Sequence, residues 1–231
     1  MKLAIHQPNF LPWPGYFHKM ASADIFLLLD TVQYTKLEYD NRCKIKTPDG
    51  VQWLTVPVGT PKSHALTKDV RIPENNDWKR THRRTLINNY SKSAYFKDYD
   101  SELLDIYEID WKFLVELNVK FIHTIKKWLG IKTTVMLASD LAERTLKSTE
   151  LNISYCMELN ADIYLSGIGG KDYLKPELFE GNGIKLEFQD YTPAKYPQRF
   201  GEFIPDLSVI DLIFNCGDES LSLIMDGNEN E

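Results

Sequence analysis

Two short apolar runs, Leu3-Ala4-Ile5 and Ile25-Phe26-Leu27-Leu28-Leu29, flank a proline-opened stretch from Pro14 to Ala21 with the composition of a helix. Strands without polar alternation are buried on both faces, and two such strands joined through a helix lie parallel. This β-α-β opening commits the chain to an α/β fold with a Rossmann-like parallel sheet at its core. Residues 2–6, 25–29 and 162–166 are expected as parallel neighbours. Shorter strands are expected at Thr133 to Leu137 and Ile184 to Phe188.

The regular alternation is interrupted twice. Thr47-Pro48-Asp49-Gly50 is a turn signal between Asn41–Lys46 and Val51–Val58, which predicts an antiparallel hairpin inserted near 39–58. A helical insertion is expected near 76–129. In its first helix Trp78, His82, Leu86 and Tyr90 recur every four residues, which turns His82 inward. Helices follow from Tyr95 to Glu108 and from Trp111 to Trp128, the latter closed by Gly130. A helix from Thr149 to Leu159 is expected to be capped by Ser148 or Thr149. A small helix near Pro176 to Glu180 and an apolar segment from Leu207 to Asn215 complete a single domain over residues 1–225. Residues 226–231 are expected to fray as an acidic tail.

Composition excludes several classes of function. The chain is 43% hydrophobic and 26% charged, and no apolar run approaches the roughly 18 residues of a membrane span, so membrane insertion is not expected. The N-terminus lacks the apolar segment of a secretory signal, which predicts a cytoplasmic protein. Cys43, Cys156 and Cys216 are widely spaced, so neither a disulfide framework nor a metal site is indicated. A net charge of −6 gives no pull toward nucleic acid. An anionic ligand must therefore be held locally. Lys79-Arg80-x-x-Arg83-Arg84 is one candidate for that task, with a solvated helix face as the alternative. Neither a cofactor nor an oligomeric state is named by these residues.

Three constellations can carry chemistry. His6-Gln7-Pro8-Asn9-Phe10-Leu11-Pro12 ends the first strand, and its prolines fix the directions of His6, Gln7 and Asn9. Helix capping is the alternative role for His6 and Asn9. Asp30 and Gln33 follow the second strand, while Asn41 and Arg42 open the hairpin, where Arg42 can grip a phosphate or instead cover an exposed strand face. Ser166-Gly167-Ile168-Gly169-Gly170 with Tyr173 follows the strand at 162–166, and its glycines admit close backbone approach to a phosphate or sugar hydroxyl, or merely serve a turn. The spacing matches neither a dinucleotide fingerprint nor a P-loop. His6 and His82 are the candidate general bases, with Asp30 as the carboxylate beside them.

Taken together, His6-Gln7-Pro8-Asn9-Phe10-Leu11-Pro12-x-x-Gly15-Tyr16-Phe17, Asp30-x-Val32-Gln33-Tyr34 and Asn41-Arg42 resemble the opening of the WbqC-like protein family. Trp53-Leu54-Thr55-Val56-Pro57-Val58, Trp78-Lys79-x-x-His82, Leu165-Ser166-Gly167-x-Gly169-Gly170-x-x-Tyr173-Leu174 and Leu207-Ser208-x-Ile210-Asp211-Leu212-x-Phe214-Asn215-x-Gly217 extend the resemblance over nearly the whole chain. It implies an enzyme of bacterial surface-polysaccharide (O-antigen-type) biosynthesis. The implied reaction is transfer or ligation of a group, acyl or aminoacyl in kind, onto a nucleotide-linked amino sugar. The alternative is a non-catalytic protein that binds a sugar nucleotide or a partner in a polysaccharide assembly complex. On the enzyme reading His6 is the general base, Gln7, Asn9, Asp30 and Gln33 position the acceptor, and Arg42 with Gly167–Gly170 binds the charged part of the donor. Trp13-Pro14-Gly15-Tyr16 also stands where nucleotidylyltransferases similar to pantothenate synthetase carry His-x-Gly-His. Both histidines of that motif are absent.

Overall fold

A computed structural model describes residues 1–36, 38–61, 64–74, 77–142 and 145–227. The chain opens with β1 (Lys2–His6), α1 (Pro14–Ala21) and β2 (Ile25–Leu28), then forms the hairpin β3 (Arg42–Thr47) and β4 (Gly50–Thr55). Helices α2 (Asp77–Tyr90), α3 (Phe96–Ile106) and α4 (Leu114–Trp128) follow. The second half runs β5 (Thr134–Leu137), α5 (Ser148–Glu158), β6 (Ile163–Ser166), α6 (Pro176–Gly181), β7 (Lys185–Phe188), α7 (Val209–Cys216) and α8 (Ser220–Asp226).

Five of these strands make one sheet in the order β5-β2-β1-β6-β7, every pairing parallel, while β3 and β4 form a separate antiparallel pair. The expected neighbours are therefore found, with Leu3 opposite Ile25 on one side and Tyr164 on the other. The order reverses at β1: the chain first builds outward to β2 and β5, then returns to lay β6 and β7 on the opposite flank.

Continuous apolar strands explain the two-faced burial. Ala4, Phe26, Leu28 and Leu165 join a core with α1, α3, α4, α7 and the inner face of the hairpin. Leu3, Ile5, Leu27 and Tyr164 point the other way, toward residues of α5 and α6. β5, β2, β1 and β6 thus feed both cores, while β7 at the edge gives Leu186 and Phe188 to the second core and turns Lys185 and Glu187 to the other face, where Glu187 pairs with Lys2 and Lys185. Cys43, Cys156 and Cys216 are buried and reduced.

Local chemistry moved several boundaries. α4 starts at Leu114 rather than Trp111, because the Glu116 carboxylate accepts the Phe113 N–H at 3.1 Å and closes the first turn there. α5 lacks the expected hydroxyl cap: Lys147 is its N-cap, and Ser148 is its first residue, with φ at 50°. α8 was not anticipated, and it packs on α1. Asp226, where the tail was expected to begin, closes α8, and residues 228–231 lie outside the described residues. In the basic run of α2, Arg80 and Arg84 are exposed and Arg83 is half-buried, with Arg80 on Asp77 and Arg83 on Glu108, whereas Lys79 is buried and reaches Asp110. Among the described residues, no helix is long and apolar enough to cross a membrane.

Candidate functional site at the strand-order reversal

The carboxyl ends of β1 and β6 diverge where the strand order reverses, and open α/β sheets form their ligand crevice there. A cleft of about 340 Å³ occupies this place. Its walls are His6 at the end of β1, Trp13, Gly15, Tyr16 and Lys19 from the entry and body of α1, the turn Gly167-Ile168-Gly169 after β6, and Gln189, Asp190 and Tyr191 after β7.

The turn after β1 is held from below. Asn118, fully buried in α4, donates its amide to the carbonyls of Pro8 and Asp40, both at 2.7 Å. Phe10 N–H donates to Tyr39 O at 3.0 Å, and the Tyr16 hydroxyl donates to Gln7 O at 3.2 Å. A proline-rich segment has few N–H groups of its own, so its carbonyls are satisfied by donors from elsewhere.

His6 is half-buried. Its Nδ1 lies 3.2 Å from Gln7 O, and a carbonyl only accepts, so Nδ1 carries the proton and Nε2 is left as a proton acceptor. The ring packs edge-on to Trp13 and Tyr16, with centroids 5.6 and 4.8 Å away. Burial, followed by the nearby Lys19 charge, pulls its pKa down to about 3, while the Gln7 carbonyl acts in the opposite direction. The imidazole is therefore neutral at pH 7.

Lys19 was missed in the sequence, although a signal was present. It falls three residues after Tyr16 and one before Met20, on the buried stripe of α1. Only 4% of it is exposed. Its ammonium donates to Ile5 O at 2.7 Å, and burial pushes its pKa down to about 7. Gly15 is required by packing: a Cβ there would lie 2.8 Å from both Trp13 Nε1 and Tyr191 Cδ1. The last wall is tied to the first because Gln189 donates to Gly15 O at 2.8 Å, beside His18 Nδ1 at 2.9 Å.

Of the residues singled out in the sequence, His6, Gly167 and Gly169 line this cleft. Ser166 is buried at its rim and donates to Gly167 O at 3.0 Å, and a Cβ on Gly170 would collide with the Ser166 hydroxyl. Tyr173 is exposed and outside the lining. Gln7 contributes its carbonyl rather than its side chain to the contacts around His6, and Asn9 is buried under the turn.

The remaining candidates sit apart from the cleft. Asp30 is buried and accepts the Ser139 N–H at 2.9 Å, which ties the end of β2 to the segment after β5. Gln33 is exposed beside His64 Nδ1 at 3.2 Å. Asn41 is buried and donates to Val56 O at 2.8 Å. Arg42, a candidate phosphate grip in the sequence, stacks on Trp53 at 4.1 Å, at the far end of a ring series that continues through Tyr39 to Trp13. His82 is 4% exposed, in contact with Phe10, Trp78 and Tyr107, and its Nε2 lies 3.1 Å from Thr55 O. Burial lowers its pKa to about 4. Among the described residues there is no cluster of three His, Cys, Asp or Glu side chains fit to hold a metal ion.

Comparison with known proteins agrees with the motifs. No solved structure gives a significant match. The chain is 36% identical over 222 residues to the uncharacterized protein Rv1507c of Mycobacterium tuberculosis, covering 95% of this chain and 95% of that one. Residues 7–223 match the model of the WbqC-like protein family, and the chain belongs to that family.

Proposed function

We propose that this protein is a cytoplasmic transferase that joins an acyl or aminoacyl group to a nucleotide-linked amino sugar destined for bacterial surface polysaccharide. The observation that carries the reading is the meeting of His6 and the Gly167–Gly169 turn in one cleft at the strand-order reversal. In the proposed step the sugar amine attacks the donor carbonyl. The C–N bond forms, the bond to the donor's leaving group breaks, and the amine proton passes to His6 Nε2. The glycine turn offers backbone N–H groups to the nucleotide's phosphates. Trp13 and Tyr16 shield the imidazole from water and fix its plane.

A second reading is favoured by one observation. A histidine whose pKa lies at about 3 is a poor base in the unliganded protein, as expected of a module that binds a sugar nucleotide without turning it over. The two separate in one experiment. UDP-linked amino sugars, each with acyl-CoA or with ATP and an amino acid, are incubated with wild type, His6→Ala and His6→Gln, and turnover is compared with melting temperature. Loss of a general base lowers turnover about 10²–10⁴-fold while the fold persists. Full turnover in His6→Gln overturns the assignment of His6. Tight binding with no turnover in wild type selects the binding module.

A further inference from the structure

We infer, building on the function proposed above, that the Lys19 ammonium is the seat of a ligand phosphoryl group in the cleft between β1 and β6. Lysine is almost never fully buried unless it is paired. Three lysines are buried among the described residues, and the other two have fuller partnerships. Lys46 donates to Gln198 Oε1 and Glu202 O, with the Asp211 carboxylate close enough to feel its charge. Lys79 donates to Ile109 O and to the Asp110 carboxylate. Among the described residues Lys19 makes one hydrogen bond, to a neutral carbonyl, and no opposite charge is among the causes acting on its pKa.

Lys19 alone of the three also lines the cleft. An ammonium carries three donors, so two remain for a ligand. The space above it runs along the glycine turn: a Cβ on Gly167 would sit 3.9 Å from Lys19 Nζ, and one on Gly169 would meet nothing within 4 Å. A compact cation beside closely approachable backbone N–H groups matches a tetrahedral oxyanion with several acceptor oxygens. Gly15 and Tyr16, in the first turn of α1, border the same cleft and add the positive end of a helix.

Occupancy has a consequence for His6, because the Lys19 charge is one of the causes that hold the imidazole neutral. A phosphoryl dianion against Lys19 cancels that charge and raises the basicity of His6. Ligand binding and proton acceptance are thereby coupled through two residues on either side of Ile5 O.

The test uses the full chain as wild type, Lys19→Met and Lys19→Arg, with inorganic pyrophosphate, UDP, UDP-glucosamine and uridine as probes. Binding is followed by calorimetry, and the His6 ring by NMR titration. Pyrophosphate, UDP and UDP-glucosamine are expected to bind wild type, with Lys19→Met weakening them at least tenfold and Lys19→Arg retaining part of the affinity. Lys19→Met is expected to melt near wild type without ligand, since the relief of a buried charge with no opposite charge beside it offsets the loss of the donor to Ile5 O. Pyrophosphate should raise the His6 pKa in wild type and leave it unmoved in Lys19→Met. Should Lys19→Met fail to fold, protection of Lys19 from reductive methylation by pyrophosphate in wild type, read by mass spectrometry, decides the matter. UDP-glucosamine bound equally by wild type and Lys19→Met overturns the role of Lys19 and leaves the proposed function standing. Failure of wild type to bind any phosphorylated probe overturns both.

Discussion

Asn118→Leu tests whether the turn after β1 is held by its clamp or by its own prolines. The substitution keeps the γ-branched shape, in a somewhat larger side chain, but deletes both amide bonds, to Pro8 O and Asp40 O, in a fully buried setting. Each orphaned buried carbonyl costs about 1–3 kcal/mol. Among the described residues Asn118 Oδ1 has no partner, so removing it returns about 1 kcal/mol. The net loss is about 1–5 kcal/mol, which at about 2–4 °C per kcal/mol for a chain of this size lowers the melting temperature by roughly 2–20 °C. The measurement is a pair of urea titrations and a calorimetric scan, with UDP-glucosamine affinity read in parallel at a temperature where both proteins are folded. A variant that melts within about 2 °C of wild type and binds equally well refutes the clamp, and leaves proline stiffness alone to set the geometry of His6.

Gly15→Ala would ordinarily favour a helix by up to about 1 kcal/mol, but overpacking against Trp13 and Tyr191 costs about 1–3 kcal/mol, so weaker ligand binding and a lower melting temperature are expected; a stabilised variant with unchanged binding would show that the walls yield freely. Asp30→Asn keeps an acceptor for the Ser139 N–H and should leave stability and turnover near wild type, whereas lost turnover in a well-folded variant would return Asp30 to the chemistry. His82 titrates at about 4 in the fold against 6.5 in the unfolded chain, so its contribution is complete above pH 6.5 and is lost as pH falls through about 4. Urea midpoints at pH 7 and 4.5 should show wild type losing about 2–3 kcal/mol more than His82→Gln, and equal losses would mean that His82 is not held neutral by burial.

The scaffold was legible because β1, β2 and β6 carry unbroken apolar runs, Leu3-Ala4-Ile5, Ile25–Leu28 and Ile163-Tyr164-Leu165, and Pro48-Asp49-Gly50 could only be a turn. His6 was legible because three prolines follow it. What escaped depends on pairings that no local pattern carries. Asp30 and Asn41 look like ligand-binding side chains in the sequence, yet their partners are the backbone groups of Ser139 and Val56. Gln189, Asp190 and Tyr191 enter the cleft only because β7 lies beside β6 and releases the chain toward α1. Lys19 escaped for a different reason. A lysine on an apolar stripe usually lifts its charge to the surface, and here the Ile5 carbonyl draws it inward instead.

Placing a cation beneath a neutral histidine is costly in the empty protein, and the cost bears on how the cleft works. Burial disfavours charge on both Lys19 and His6, and the Lys19 charge disfavours it further on His6, so both groups have depressed pKa values in the unliganded site. A neutral sugar entering alone would leave that balance unchanged, and His6 would remain a weak base. A phosphorylated ligand brings its own negative charge to Lys19, stabilises the ammonium there, and allows the imidazole three residues from Leu3 in β1 to accept a proton at the other side of the same strand end. Specificity for a phosphate-bearing substrate would then arise in the proton-transfer step as well as in binding. Removing Lys19 should accordingly raise KM and leave kcat at saturation no lower than in wild type, because the charge that depresses His6 goes with it, whereas a fall in kcat at saturation would refute the coupling.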